Sequence, residues 1–167
     1  MLRIIILLII GLHAVSFGQS LKGQVYQLAE SFLEDNCSVN PECDCCSSDL
    51  IFLTDKQFSL IARCIFNDVY YTGTYSIKGD YLVLTFKQTI VSEIVDEETS
   101  KVENKREDLK IEPIKFNIST CKQNKIRLEN AEINGKDLKN GSRKLQVEET
   151  KIIQMLKKSS AWKLLTH

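Results

Sequence analysis

Six cysteines are the side chains best equipped for chemistry in this chain of 167 residues. Cys37, Cys43, Cys45 and Cys46 crowd into one short stretch, and Cys64 and Cys121 follow singly. Thiolates this close together suit a soft ion such as Cu(I) or Zn, because a loop can wrap around it. Cys43 and Cys46 form a Cys-x-x-Cys pair, the smallest dithiol able to exchange disulfides. The structural reading is that all six pair as disulfides and pin the loop to the body, for instance to Cys64 or Cys121. Each such bridge in a small domain contributes on the order of 2–5 kcal/mol. Adjacent Cys45 and Cys46 point in different directions in an extended chain, which argues for two different partners.

Other chemistries lack their residues. The chain has two histidines, His13 and His167, one near each end. A Ser-His-Asp or Cys-His system therefore has no base in the body, and a histidine-based metal site has no ligands. No second Cys-x-x-Cys completes a zinc ribbon, and no βαβ unit surrounds the first, as a thioredoxin-type enzyme requires. The carboxylate pairs Glu97-Glu98, Glu107-Asp108 and Glu148-Glu149 are neighbours on exposed segments, not convergent acid–base groups. A non-enzymatic protein without a cofactor is expected, with copper entering only if the cysteines serve as a sensor. Lys plus Arg equals Asp plus Glu at 22 each, so no concentrated basic surface awaits nucleic acid or an acidic membrane.

The elements that position these residues begin after an address. Met1-Leu2-Arg3, an apolar run over residues 4–12 and small residues up to Gly18 have the layout of a secretory signal peptide. The expected division is a signal peptide over residues 1–18 and one domain over 19–167. Membrane contact is confined to the signal before cleavage, and the mature protein is periplasmic or secreted. An oxidising compartment favours the disulfide reading of the cysteines.

Val25, Leu28, Ala29, Phe32 and Leu33 recur at helical spacing, so residues 21–35 are expected to form an amphipathic helix. Residues 37–48 are a loop by composition. Residues 50–53 are a short apolar strand. Over 58–66, Phe58, Leu60, Ala62, Cys64 and Phe66 alternate with the residues between them, the period of a half-buried strand. Residues 70–78 and 81–95 are strands joined at Gly79-Asp80, with Leu82, Leu84 and Phe86 on one face. The mixed charges of 96–108 read as a long exposed hairpin loop. Alternation resumes over 109–121, where Pro113 marks an edge or bulge. Residues 125–128 and 132–138 are further short strands. Asn134-Gly135 and Asn140-Gly141 read as tight turns. Residues 145–158 pass into a helix with Ile152, Ile153 and Leu156 in a stripe, and the apolar end at 161–165 docks on the body. The expected fold is mainly β: a small antiparallel barrel with an N-terminal helix and a short C-terminal helix.

The grammar Cys43-x-x-Cys46, Leu50-x-Phe52-Leu53, Asp55-x-x-Phe58, Gly73-Thr74-Tyr75 and Asp80-x-Leu82-Val83-Leu84-Thr85 resembles the N-terminal domain of NlpE-type copper-resistance lipoproteins. More broadly it is similar to small lipocalin-like barrels of bacterial envelope proteins. The resemblance covers about a quarter of the chain, by the span of its motifs. It implies a lipocalin-like barrel in the cell envelope, and makes Cys43 and Cys46 the counterparts of a Cys-x-x-Cys pair linked to redox or metal sensing. The chain departs in having no lipoprotein cysteine and an extra Cys45 inside the motif.

Two functions follow. One is an exported binding protein holding a small apolar molecule or an envelope protein partner, with Phe58, Leu60, Phe86 and Phe116 lining the barrel interior. The other is a thiol-based redox or copper stress sensor built on Cys43 and Cys46.

Overall fold

The structure, a computed structural model, describes residues 20–29, 32–33, 38–39, 47–63, 67–96, 98–121, 125–131, 139–143, 146–159 and 161–166. The barrel starts at β1 (Val25–Ala29), where the sequence suggested a helix. Tyr26 and Leu28 point to one side of this strand and Val25 and Ala29 to the other, and all four are buried. A strand covered on both faces has no alternation to read. Apolar residues at 25, 28 and 29 then imitate a helical stripe.

A two-stranded ladder, β2 (Phe32–Leu33) with β3 (Ser38–Val39), follows. The wall continues through β4 (Ser47–Phe52), β5 (Gln57–Arg63), β6 (Asn67–Lys78) and β7 (Tyr81–Asp96). After β8 (Lys101–Asp108) it resumes with β9 (Ile114–Thr120), β10 (Ile126–Asn130) and β11 (Asn140–Arg143). Nine strands form one sheet in the order β6-β5-β4-β1-β11-β10-β9-β7-β8, and β6 also pairs with β7. That last pairing closes the ring. With β8 set aside, the other eight strands form an antiparallel barrel in which each strand lies beside its barrel neighbours in sequence. The seam pairs the first strand with the last, Tyr26 with Arg143 and Ala29 with Asn140.

β7 is long enough to serve two neighbours on one side. Its first part, Tyr81–Leu84, pairs with β9, and its second part pairs with β8 from Gln88↔Asp108 to Asp96↔Lys101. So residues 101–108, expected as loop, are a strand. Every residue of β8 except Asn104 is exposed, and a strand wetted on both faces carries no apolar alternation. Asn140-Gly141, expected as a turn, instead lies within β11. Leu28 and Leu128 pair with Gly141 from the two sides, and pairing on both sides overrides local turn preference. Gly79, with φ of 61°, makes the β6–β7 turn as expected.

Two apolar layers hold the molecule. Inside the ring, Tyr26, Leu28, Leu50, Phe52, Phe58, Leu60, Leu82, Leu84, Phe86, Phe116, Ile118 and Leu128 pack together. Outside it, Val25, Ile51, Ile61, Tyr70 and Ile90 project from five adjacent strands. They are covered by Leu156 of α1 (Gln146–Lys158), Leu165 of α2 (Trp162–Thr166) and Ala161 just before α2. Two short helices thus stand where one was expected. Helix α2 is tied down by Arg106 of β8, whose Nη2 donates to the Leu164 carbonyl at 2.9 Å. A cation there faces the negative end of the helix dipole.

Candidate functional site: the barrel interior

One end of the barrel is sealed by the chain just before β1. Leu21 is buried against the interior cluster. Gly23, with φ of 76°, lets the strap turn, and its N–H donates to the Phe52 carbonyl at 2.8 Å. The Phe52 N–H donates back to the Gln24 carbonyl at 3.0 Å. Polar tips of the interior aromatics close the seal. The Tyr26 hydroxyl donates to Gln24 Oε1 at 2.9 Å and the Tyr75 hydroxyl to the Thr54 carbonyl at 3.1 Å. Burial, with the charge of Asp55 as a second cause, raises the Tyr75 pKa, so the phenol stays a donor. The Ser20 hydroxyl donates to Asp55 Oδ1 at 2.6 Å, joining the strap to the β4–β5 turn.

Rings stack inward from this seal. Tyr26 meets Phe52 edge-on at 5.7 Å, and Phe52 meets Tyr75 at 4.7 Å. A second set adjoins it, with Phe58 opposite Phe52 in the β4–β5 register. Phe58 packs edge-on against Phe86 at 5.0 Å, and Phe86 against Tyr71 at 6.5 Å. Of the four residues expected as lining, Phe58, Leu60, Phe86 and Phe116 all belong to the interior cluster, with Phe58 and Phe116 fully buried. Tyr71 packs against the same cluster. It is half-buried, and its ring meets Phe86 edge-on. Its position opposite Leu60 in the β5–β6 register is the signal that could have found it. An interior of eight strands is just wide enough to be filled by side chains or to hold one small ligand.

The close approach of β6 and β7 at this level depends on Gly73. The register shifts between Thr72 and Gly73, where Lys87 of β7 is the extra residue. A Cβ on Gly73 would come within 2.9 Å of Phe86 Cα and closer still to the Thr85 carbonyl oxygen. The bulge turns the side chains of β7 over. Phe86 faces inward, while Ile90, four residues later, faces the helices.

The wall beneath the helices holds a buried charge. Asp49 is 1% exposed and accepts a hydrogen bond from Arg63 Nη1 at 2.7 Å, a paired arrangement that offsets its desolvation. Nearby, Tyr70 donates to Asp68 Oδ2 at 3.0 Å. Burial first, then the charge of Asp68, pushes the Tyr70 phenol up to about 12.

Cys37, Cys43, Cys45, Cys46 and Cys64 lie outside the described residues, so the expected metal pair Cys43 and Cys46 is not placed. So do residues 1–19 and the expected strand at 132–138. Cys121 is described. It follows β9, and its N–H donates to the Lys125 carbonyl at 2.9 Å. Among the described residues, no three His, Cys, Asp or Glu side chains gather as metal ligands. No described helix is long and apolar enough to cross a membrane.

The class this geometry defines is a small closed antiparallel β-barrel with one sealed end and an aromatic interior. Among solved structures, the chain is similar to the crystal structure of a streptavidin-like protein from Bacteroides eggerthii. The TM-score is 0.59 at 12% identity, over 83% of this chain and 90% of that one. At that identity the likeness is one of fold. No protein-family model and no curated protein matches the chain, so the similarity to NlpE-type lipoproteins gains no support from these comparisons.

Proposed function

We propose that this protein is an exported, non-enzymatic binding protein of the cell envelope or extracellular space, which takes a small apolar molecule into its barrel. The observation that carries the reading is the barrel itself: an apolar, aromatic interior sealed at one end by residues 20–24. The ligand would enter from the opposite end and rest on Leu60, Phe86 and the ring of Tyr71, with the Tyr71 hydroxyl as its polar contact. Small-molecule sites have this make-up, apolar walls with a few placed polar groups. Disulfides stabilise the mature domain, a reading supported by the even cysteine count.

The test is native mass spectrometry of the purified protein, followed by solvent extraction and identification of what it carries. A bound apolar molecule is expected at one per chain. Leu60→Trp, which fills the entrance, should lower its occupancy at least about tenfold, the scale of a lost apolar contact set. Lys115→Ala on the outer wall should leave it unchanged. An empty protein that also takes up no offered fatty acid, sterol or quinone would refute the reading. Alkylation without reduction, read by intact mass, tests the cysteines: reactive thiols at Cys43 and Cys46 would bring the sensor forward.

A further inference from the structure

Strand β8 ends the sheet, and no described strand pairs with its second edge. We propose that this edge joins a second copy of the same chain, β8 against β8, in an antiparallel two-fold pair centred on Asn104. The charge order of the strand singles out that partner and that register. On one face of β8 the residues run Lys101, Glu103, Lys105, Glu107. Within one chain they already pair along the strand, Lys101 with Glu103 and Lys105 with Glu107.

With Asn104 opposite its own copy, Lys101 lies opposite Glu107 of the second copy, and Glu103 opposite Lys105. Repeated by the two-fold axis, this gives opposite charges at every facing position of that face. Opposite-charge pairs directly across a ladder stabilise it, and like charges destabilise it. Sliding the register by two residues one way sets Glu103 against Glu103 and Lys101 against Lys105. Sliding it the other way sets Lys105 against Lys105 and Glu103 against Glu107. One register is therefore favoured and its neighbours are opposed, the pattern of a specified interface.

The apolar surface beside the edge fits the same partner. Val102 is 38% exposed and pairs with Ile94, itself 50% exposed, at the far end of the β7–β8 hairpin. In the proposed register Val102 lies opposite Arg106 of the second copy, whose methylene stem can cover it. Edge strands that merely avoid association rely on charge, proline, bulges or shortness. β8 is eight residues long, contains no proline, and carries charges that complement their own copy. The contact is isologous and closes at two chains.

Sedimentation equilibrium of the purified chain reads this directly. A dimer is expected at protein concentrations on the order of 0.1 mM, as a small interface allows, and it should weaken as salt is raised because exposed charges are screened. The all-basic variant Glu103→Lys/Glu107→Lys and the all-acidic variant Lys101→Glu/Lys105→Glu should each raise the dimer dissociation constant at least tenfold. Mixed together, the two should form a heterodimer, which also shows that both variants are folded. The fourfold exchange of both pairs should restore self-association. A wild-type chain that stays monomeric at ten times that concentration would overturn the proposal. So would a dimer indifferent to these substitutions, which would mean another surface is used. A mixture that forms no heterodimer while both variants melt like the wild type would overturn it too.

Discussion

Tyr70 shows how one side chain can set an alkaline limit on stability. Its ring belongs to the layer under the helices and is 3% exposed, and its hydroxyl donates to Asp68. The folded phenol titrates at about 12 against an ordinary 10.0. A raised folded pKa means that the unfolded chain loses its proton first. The stabilisation from Tyr70 is fully present below pH 10 and is lost as pH rises through about 12. Urea unfolding from pH 9 to 12 should show this decline, and Tyr70→Phe should flatten it. A second position acts through the backbone. Gly73→Ala should cost about 3 kcal/mol in the same unfolding experiment, since the added methyl meets fixed atoms of β7 rather than a movable side chain. A loss below about 0.5 kcal/mol, the ordinary range for a harmless surface change, would mean the strands can part at the bulge.

At the scale of elements, the pair of helices acts as part of the wall rather than as an appendage. Leu156 of α1 is buried among Val25, Ile51, Ile61 and Ile90 from four strands. Leu156→Ala should cost roughly 2–4 kcal/mol through lost burial and the cavity left behind. Thermal melts should show one cooperative transition shifted downward. A separate early transition would mean that the helices undock without disturbing the barrel. The sequence reached these elements unevenly, for physical reasons. Leu82, Leu84 and Phe86 could be assigned to one face because the start of β7 keeps a difference between faces, and Phe58 and Leu60 because polar Ser59 lies between them, although β5 is buried on both sides there. Helix α1 was visible through Ile153 and Leu156, which do pack inward. β1 was not visible, because Val25 and Ala29 are as buried as Tyr26 and Leu28. β8 hid for the opposite reason, being wet on both faces. β11 carries a turn-forming Asn-Gly pair that two neighbouring strands override. In the barrel interior, aromatic type marked Phe58, Phe86 and Phe116, whereas Tyr71 became visible only through its register partner and its ring contact.

For the whole molecule, the ring and the β7–β8 hairpin divide the work. The ring encloses the apolar interior, while the hairpin carries β8 along the second half of β7 and offers an edge. Two-fold pairing through β8 would leave the sealed ends, marked by residues 20–24, away from the interface. The seam between β1 and β11 governs something else, the order in which the molecule can be made. Residue 140 follows residue 29 by 111 positions, yet the two are paired. While the chain is being synthesised, β1 can meet β4 early, but its other edge stays open until β11 arrives. The outer apolar row from Val25 to Ile90 stays bare until α1 follows. Contacts so far apart in sequence form slowly. For a chain threaded through a membrane channel, as the export reading requires, that delay is useful: the barrel cannot close and jam the channel before nearly all of its strands are through.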